Sequence, residues 1–329
     1  MRLNKNRISL FVCLLLFLAS CEEEKYAIPV LSPGLHNDCI KRSLGPNMVG
    51  LELEFAYAIA LPADEGAIVS AQVEASVAGA VGTYLDHKSY YTNGSGDDIG
   101  VLIGGTSVTE GRKTVVAFSK DTCAATLRYY YKIPEEARGK TVSFTFSAKA
   151  SNGQTVSYDM GPYSISRMDM KLDLVATNGG ACYVSIADMA VYDAAEAAAN
   201  PGKIDLVYLY RSVPGITFAH ALVSPAAESQ YLPEITLPSG VNNNTLELKT
   251  WDLRDHHLSP ALKYGIYIDD VDFEKIDMKN APNFAINMKA ESGVWIQTND
   301  GKYRAYILVN KVDNAKGQMT LSMKRLQMK

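Results

Sequence analysis

The chain has 329 residues, with 32 basic and 36 acidic side chains and a formal net charge of −4. Residues 1–20 hold three of the basic groups and no acid, so the remainder carries 29 against 36, a net −7. That balance, with no concentrated basic run, excludes a phosphate-backbone reader, and 19 Tyr beside abundant Val, Thr and Gly point to strands.

Arg2, Lys5 and Arg7 precede an apolar run from Ile8 to Leu18, shorter than the ~20 residues a bilayer span requires. Leu18-Ala19-Ser20-Cys21 then places small residues before a cysteine, the cleavage pattern of a bacterial lipoprotein signal peptide. Residues 1–20 are read as that signal. Cys21 is expected to become the first residue of the exported chain and to carry acyl chains, each buried methylene adding about 0.8 kcal/mol of membrane affinity. The expected address is the outer membrane, with the membrane itself as partner through the lipid. Glu22-Glu23-Glu24-Lys25 opens an acidic tether over 21–33. Acids directly behind the acylated cysteine also resemble the surface-export signal of Bacteroidota lipoproteins, which favours the cell surface over the periplasm. Beyond Cys21 stand Cys39, Cys123 and Cys182. One disulfide with a free thiol, or three buried thiols, both fit an exported protein.

From about Leu35 the pattern is β, and the expected fold is all-β. It comprises two β-sandwich domains over 34–166 and 167–329, the first immunoglobulin-like and the second holding one short helix. In the first, Leu127, Tyr129, Tyr131 and Ile133 alternate with Thr126, Arg128, Tyr130 and Lys132. Pro134 to Gly139 reads as one helical turn, with Pro at its start, acids at its positive end and Gly at its exit. Thr141 to Lys149 alternates strictly, Val142, Phe144, Phe146 and Ala148 facing one way. Ser151-Asn152-Gly153 closes a hairpin that pairs Ala148 with Val156, Phe146 with Tyr158 and Phe144 with Met160.

In the second domain, Ala181 to Tyr192 reads as one bent strand. Asp193 caps a helix, with Glu196 completing a capping box, and Asn200-Pro201-Gly202 ends it. Ile204 to Tyr210 is apolar on both faces except for Asp205 near its start and reads as a central strand. Tyr264 to Ile268, Tyr303 to Val309 and Lys316 to Leu326 read as further strands.

The stretch from Leu35 to Arg42, with Gly45-Pro46-Asn47 and Glu54-Phe55-Ala56-Tyr57, resembles the opening of an uncharacterised family of Bacteroidota lipoproteins, a domain of unknown function. Cys123 to Tyr131, Lys203 to Tyr208 and Asp300 to Tyr306 resemble the same family. The resemblance spans nearly the whole exported chain and implies an all-β extracytoplasmic protein. It brings no catalytic or binding residue with it, and its association with outer-membrane glycan uptake is an analogy.

Among candidate sites, the Asp300-Gly301 hairpin stands first. It pairs Thr298 with Tyr303, Ile296 with Ala305 and Val294 with Ile307 on a core face. The opposite face sets Trp295 against Tyr306 and Gln297 against Arg304, an aromatic pair beside fork donors suited to sugar rings. The alternative is that this pair packs under a loop or against the other domain. Tyr84, Tyr90 and Tyr91 flank Asn93 to Asp98, which lacks a regular calcium-loop spacing and reads as a hairpin tip. Asp269, Asp270 and Asp272 alternate across a strand end and do not converge, and His256-His257 are adjacent and point apart, so no metal site is assigned. The chain has no G-x-S-x-G, H-E-x-x-H or phosphate-loop motif, and no cofactor is expected. The resulting expectation is a non-enzymatic surface lipoprotein that binds a glycan or an outer-membrane uptake partner. The alternative is a structural or adhesive protein whose β-domains act as spacers or pair with partner strands.

Overall fold

The computed structural model describes residues 32–259 and 265–329, so the leader, Cys21 and the acidic run after it lie outside the described residues. The first half contains β1 (His36–Lys41), β2 (Glu52–Ala60), β3 (Ile68–Ala75), β4 (Tyr84–Leu85), β5 (Lys88–Thr92) and β6 (Asp98–Leu102). It continues through β7 (Val108–Glu110), β8 (Lys113–Ala117), β9 (Ala124–Lys132), β10 (Thr141–Ala150) and β11 (Thr155–Ser164). A four-stranded sheet, β1-β2-β9-β4, packs on a five-stranded sheet, β11-β10-β3-β8-β7. Alternation supplies the core between them: Phe55 and Tyr57 of β2 and Tyr129 and Tyr131 of β9 meet Phe144 and Phe146 of β10. Ring centroids of Phe55 and Phe144 lie 4.9 Å apart. Ala148 faces Val156, Phe146 faces Tyr158 and Phe144 faces Met160, as the hairpin reading expects. Gly153, at φ +88°, makes its turn at no steric cost. Glu135–Ala137 forms the short helical turn after Pro134.

The second half contains β12 (Asp169–Thr177), β13 (Tyr183–Ser185), β14 (Ala190–Tyr192), α1 (Ala194–Ala199), β15 (Leu206–Val213), β16 (Ile216–Val223) and β17 (Leu246–Trp251). After them come α2 (Asp270–Lys275), β18 (Phe284–Met288), β19 (Ser292–Gln297), β20 (Tyr303–Asp313) and β21 (Gln318–Gln327). Sheets β12-β21-β20-β19-β17 and β14-β13-β15-β16-β18 enclose one apolar core. β15 takes the central place, consistent with its two apolar faces. Asp193 and Glu196 form the reciprocal capping box at the start of α1.

Three expectations are corrected here. Ala181–Tyr192 is not one bent strand: β13 and β14 fold back on each other, with Tyr183 opposite Tyr192. The segment up to Ile268 is not a strand, because among the described residues it pairs only through an Ile266–Asp255 bridge. The second domain holds a further helix, α2, directly after it. The cysteine alternatives also close: Cys39, Cys123 and Cys182 are free thiols, and burial pushes Cys39 up to about 12 and Cys182 up to about 11.

Residues Leu35 to Lys329 form one compact body. A third apolar cluster joins its two sandwiches, placing Met48 and Met168 with Ile268, Phe273, Trp295 and Tyr306. At the joint Gly45, at φ +76°, lies so close to Tyr267 that a Cβ would meet its ring at 2.4 Å. Arg138 donates to the carbonyls of Arg167 and Met168 at 3.1 and 3.0 Å. Arg167 in turn bridges to Glu274 on α2.

Candidate functional site

The Asp300-Gly301 hairpin forms in the expected register, Trp295 opposite Tyr306 and Gln297 opposite Arg304. Its outer face is nevertheless not a platform. Trp295 is 5% exposed and Tyr306 0%. Phe273 of α2 packs edge-on against Trp295, centroids 5.2 Å apart. Tyr306 donates its hydroxyl to the carbonyl of Leu253 in the loop after β17. Gly293 leaves room for that phenol, since a Cβ there would sit 1.9 Å from the Tyr306 hydroxyl. Arg304 spends its fork on the carbonyls of Phe273 and Glu274, at 2.7 and 3.2 Å, and on Gln297 Oε1 at 3.2 Å. All four proposed ligand residues, Trp295, Tyr306, Arg304 and Gln297, therefore hold the covering layer in place.

The acidic and histidine motifs are also structural. Asp98 receives Arg128 at 2.8 Å and Arg42 at 3.0 Å, and these bonds, with Thr92, hold its carboxyl down at about 2. Asn93 and Asp97 bond each other across the hairpin tip. Asp269 caps α2 through the N–H groups of Val271 and Asp272, while Asp270 accepts from Ser166 and Arg167. His256 and His257 both pack on Tyr267. Among the described residues no group of three or more His, Cys, Asp or Glu is placed to hold a metal.

Among the described residues the exposed aromatic side chains are Tyr84 and Tyr91 of the first domain and Trp251, at the end of β17, of the second; the first-domain pair lies beside further rings. The polar phase of β9 points Thr126, Arg128, Tyr130 and Lys132 away from the core, onto the outer face of its sheet. β4 pairs with β9 at Tyr84–Tyr130, and the two rings stack at 4.8 Å with a 21° tilt. Tyr84 is 43% exposed. The β5–β6 hairpin rises beside this pair. Tyr90 lies 5.3 Å over the Arg128 guanidinium and donates its hydroxyl to Asp86. Tyr91 is 56% exposed. Burial, with the charges of Asp86, Glu52 and Glu54, pushes the Tyr84 phenol up; burial, Glu54, Tyr84 and Asp86 do the same to Tyr130. Both phenols therefore stay neutral and serve as donors and stacking faces. Arg128 also reaches Glu54 at 3.8 Å, so a paired set of charges fixes the hairpin over the sheet.

Tyr90 also lines an open groove of about 520 Å³. Its floor includes Ala58, Ala60, Ala124 and Thr126, and its sides include Asp38 and Ser89. Alanines keep that floor low, so a flat ring could approach the sheet. The size lies in the range of small-molecule sites. The sequence signal for this face was the polar phase of 126–132 together with Tyr84, Tyr90 and Tyr91; their convergence was not visible, because β4 and β9 lie some forty residues apart.

Residues 32–165 match the domain of unknown function DUF4466, and residues 166–328 match the domain of unknown function DUF8576. A crystal structure of a DUF4466 family protein from Parabacteroides merdae is 49% identical, with a TM-score of 0.83. The match covers 90% of this chain and 99% of that one. The major pilin subunit of Bacillus cereus aligns at 10% identity over 46% of each chain, with a TM-score of 0.27. A fragment of the major pilin of Streptococcus agalactiae aligns at 13%, over 56% of this chain and 74% of that one, with a TM-score of 0.29. Superpositions that loose carry no information about this chain. No curated protein matches.

Proposed function

The chain belongs to the DUF4466 family, a domain of unknown function, and from its own surface we propose that it is a non-catalytic, outer-membrane-anchored lipoprotein whose first domain binds a glycan. The observation that carries this reading is the stack of exposed Tyr84 on half-buried Tyr130, beside Tyr90, Tyr91 and the alanine-floored groove. Stacked phenols offer flat faces to the C–H surfaces of sugar rings, and rim hydroxyls and carboxylates select hydroxyl positions. The anchoring half of the proposal rests on the Leu18-Ala19-Ser20-Cys21 pattern and the acids after it. Affinity electrophoresis against a panel of polysaccharides tests the ligand. The native chain is retarded by at least one member, and Tyr84→Ala with Tyr91→Ala loses most of that retardation. A native chain that no polysaccharide retards ends the glycan reading. Labelled palmitate recovered at Cys21, and lost in Cys21→Ala, tests the anchor.

A second reading, adhesion by strand pairing, has one specific feature in its favour. All five residues of β6 are exposed, including Ile99, Val101 and Leu102, and β6 pairs on one side with β5. Such an edge accepts an added strand. Under this reading Val101→Lys abolishes adhesion of expressing cells and leaves polysaccharide retardation unchanged; unchanged adhesion removes it.

A further inference from the structure

Asp255 and Lys324 meet inside the layer that covers the second domain. Both side chains are fully buried, and Lys324 Nζ lies 2.6 Å from Asp255 Oδ2. Lys324 is the cross-strand neighbour of Tyr306, and Asp255 lies in the segment between β17 and α2, 69 residues earlier. Four backbone groups hold the pair. Asp255 Oδ1 accepts the backbone N–H groups of His257 and Leu258 at 2.8 and 3.2 Å. Oδ2 also accepts from Ile268 N at 2.7 Å, and Nζ donates to Ile268 O at 2.8 Å.

We infer that these two side chains join through an amide, so that the folded chain carries a covalent cross-link between Asp255 and Lys324. Three features support the step. The pair is dry, which penalises two separate charges and removes the water that would reverse the condensation. The nucleophile is held against the carboxyl group, where effective molarities of about 10⁵ M and above are reached. Two N–H groups already point at Oδ1, where negative charge develops when the carboxyl carbon is attacked. Burial lowers Lys324 from its ordinary range, which makes its free amine accessible.

The chemistry closes on these residues alone. A proton passes from the Lys324 ammonium to Asp255 Oδ2, giving an amine and a carboxylic acid. The Nζ lone pair attacks Cγ, and Oδ1 takes the charge between the His257 and Leu258 N–H groups. A second proton passes from Nζ directly to Oδ2, its 2.6 Å partner. The Cγ–Oδ2 bond then breaks, the Cγ=Oδ1 bond re-forms and water leaves. One C–N bond replaces one C–O bond, and nothing is oxidised or reduced.

Tryptic mapping of the full chain decides the matter. A joined chain yields one branched species made of residues 255–263 and 317–325, lighter than their sum by one water, with no cleavage after Lys324. A chain with an ordinary ion pair yields the two peptides separately, with cleavage after Lys324, and that result overturns the inference. Lys324→Gln gives the unbranched 255–263 peptide and confirms the assignment of the branch point.

Discussion

Asp205 shows how one buried side chain sets a pH dependence. It is 5% exposed, at the edge of β15, and its Oδ2 accepts the N–H of Ile186 at 2.8 Å. Burial dominates, with the charge of Asp300 adding to it, and the carboxyl is raised from an ordinary 3.8 to about 7. The folded chain thus holds a proton that the unfolded chain releases near pH 4. Stability from this group is complete below pH 4, declines as pH rises from about 4 to about 7, and stays low above that. Glu247 acts in the same direction: it is fully buried, and burial raises its carboxyl well above the usual range. Asp205→Asn cannot ionise. Its stability relative to the native chain therefore improves on going from pH 4 to pH 8, by up to about 4 kcal/mol. Urea unfolding at the two pH values measures it, and an equal difference at both would show that Asp205 ionises freely in the folded protein.

At the scale of elements, α2 decides the fate of the hairpin beneath it. Asp269, in extended conformation, caps the N–H groups of Val271 and Asp272, and the Asp272 carboxylate returns a bond to Asp269 N. The helix then carries Phe273 onto Trp295. Asp269→Ala is expected to cost about 1 kcal/mol and to loosen that cover. In a Trp251→Phe background, acrylamide quenching of Trp295 then rises; unchanged quenching would mean that the loop after β17 alone shields the ring. This layer also marks the limit of what was legible in the sequence. The β10–β11 and β19–β20 registers could be read because alternation and a local turn determine them together. The Asp193–Glu196 box could be read because it abuts an alanine run. The equivalent Asp269–Asp272 box was hidden, since the residues before it alternate like a strand, and nothing local reveals that they lack a ladder partner. Trp295 and Tyr306 were correctly paired, but the choice between a solvent-facing platform and a covered pair was not legible, because Leu253 and Phe273, which cover them, are contributed by distant segments. The Tyr84–Tyr130 stack was hidden for the same reason: Tyr130 could be placed on the polar side of its strand, but its meeting with Tyr84 depends on a pairing between distant strands.

For the whole molecule, the joint between the sandwiches determines whether the tyrosine face and the second domain behave as one body. Met48, from the first sandwich, is 1% exposed within the apolar cluster of the second. Truncating a buried Met to Ala typically costs about 2–5 kcal/mol, here confined to the junction. Arg138 supplies the polar half: besides its two carbonyl bonds it meets Asp169 at 3.0 Å. Ser166 N bonds Asn47 O at 2.8 Å, so the linker itself is tied to the first domain. Each sandwich has a core of its own, so the junction couples two units that are each able to unfold separately. Calorimetry of the native chain should therefore show one transition. Met48→Ala combined with Arg138→Ala should split it into two while leaving polysaccharide retardation intact, since Tyr84 and Tyr130 stack on the outer face of their sheet and the core of that sandwich is untouched. A single transition merely shifted to lower temperature would locate the coupling in the Asn47–Ser166 backbone contact. Lost retardation would show instead that the second domain takes part in holding the ligand.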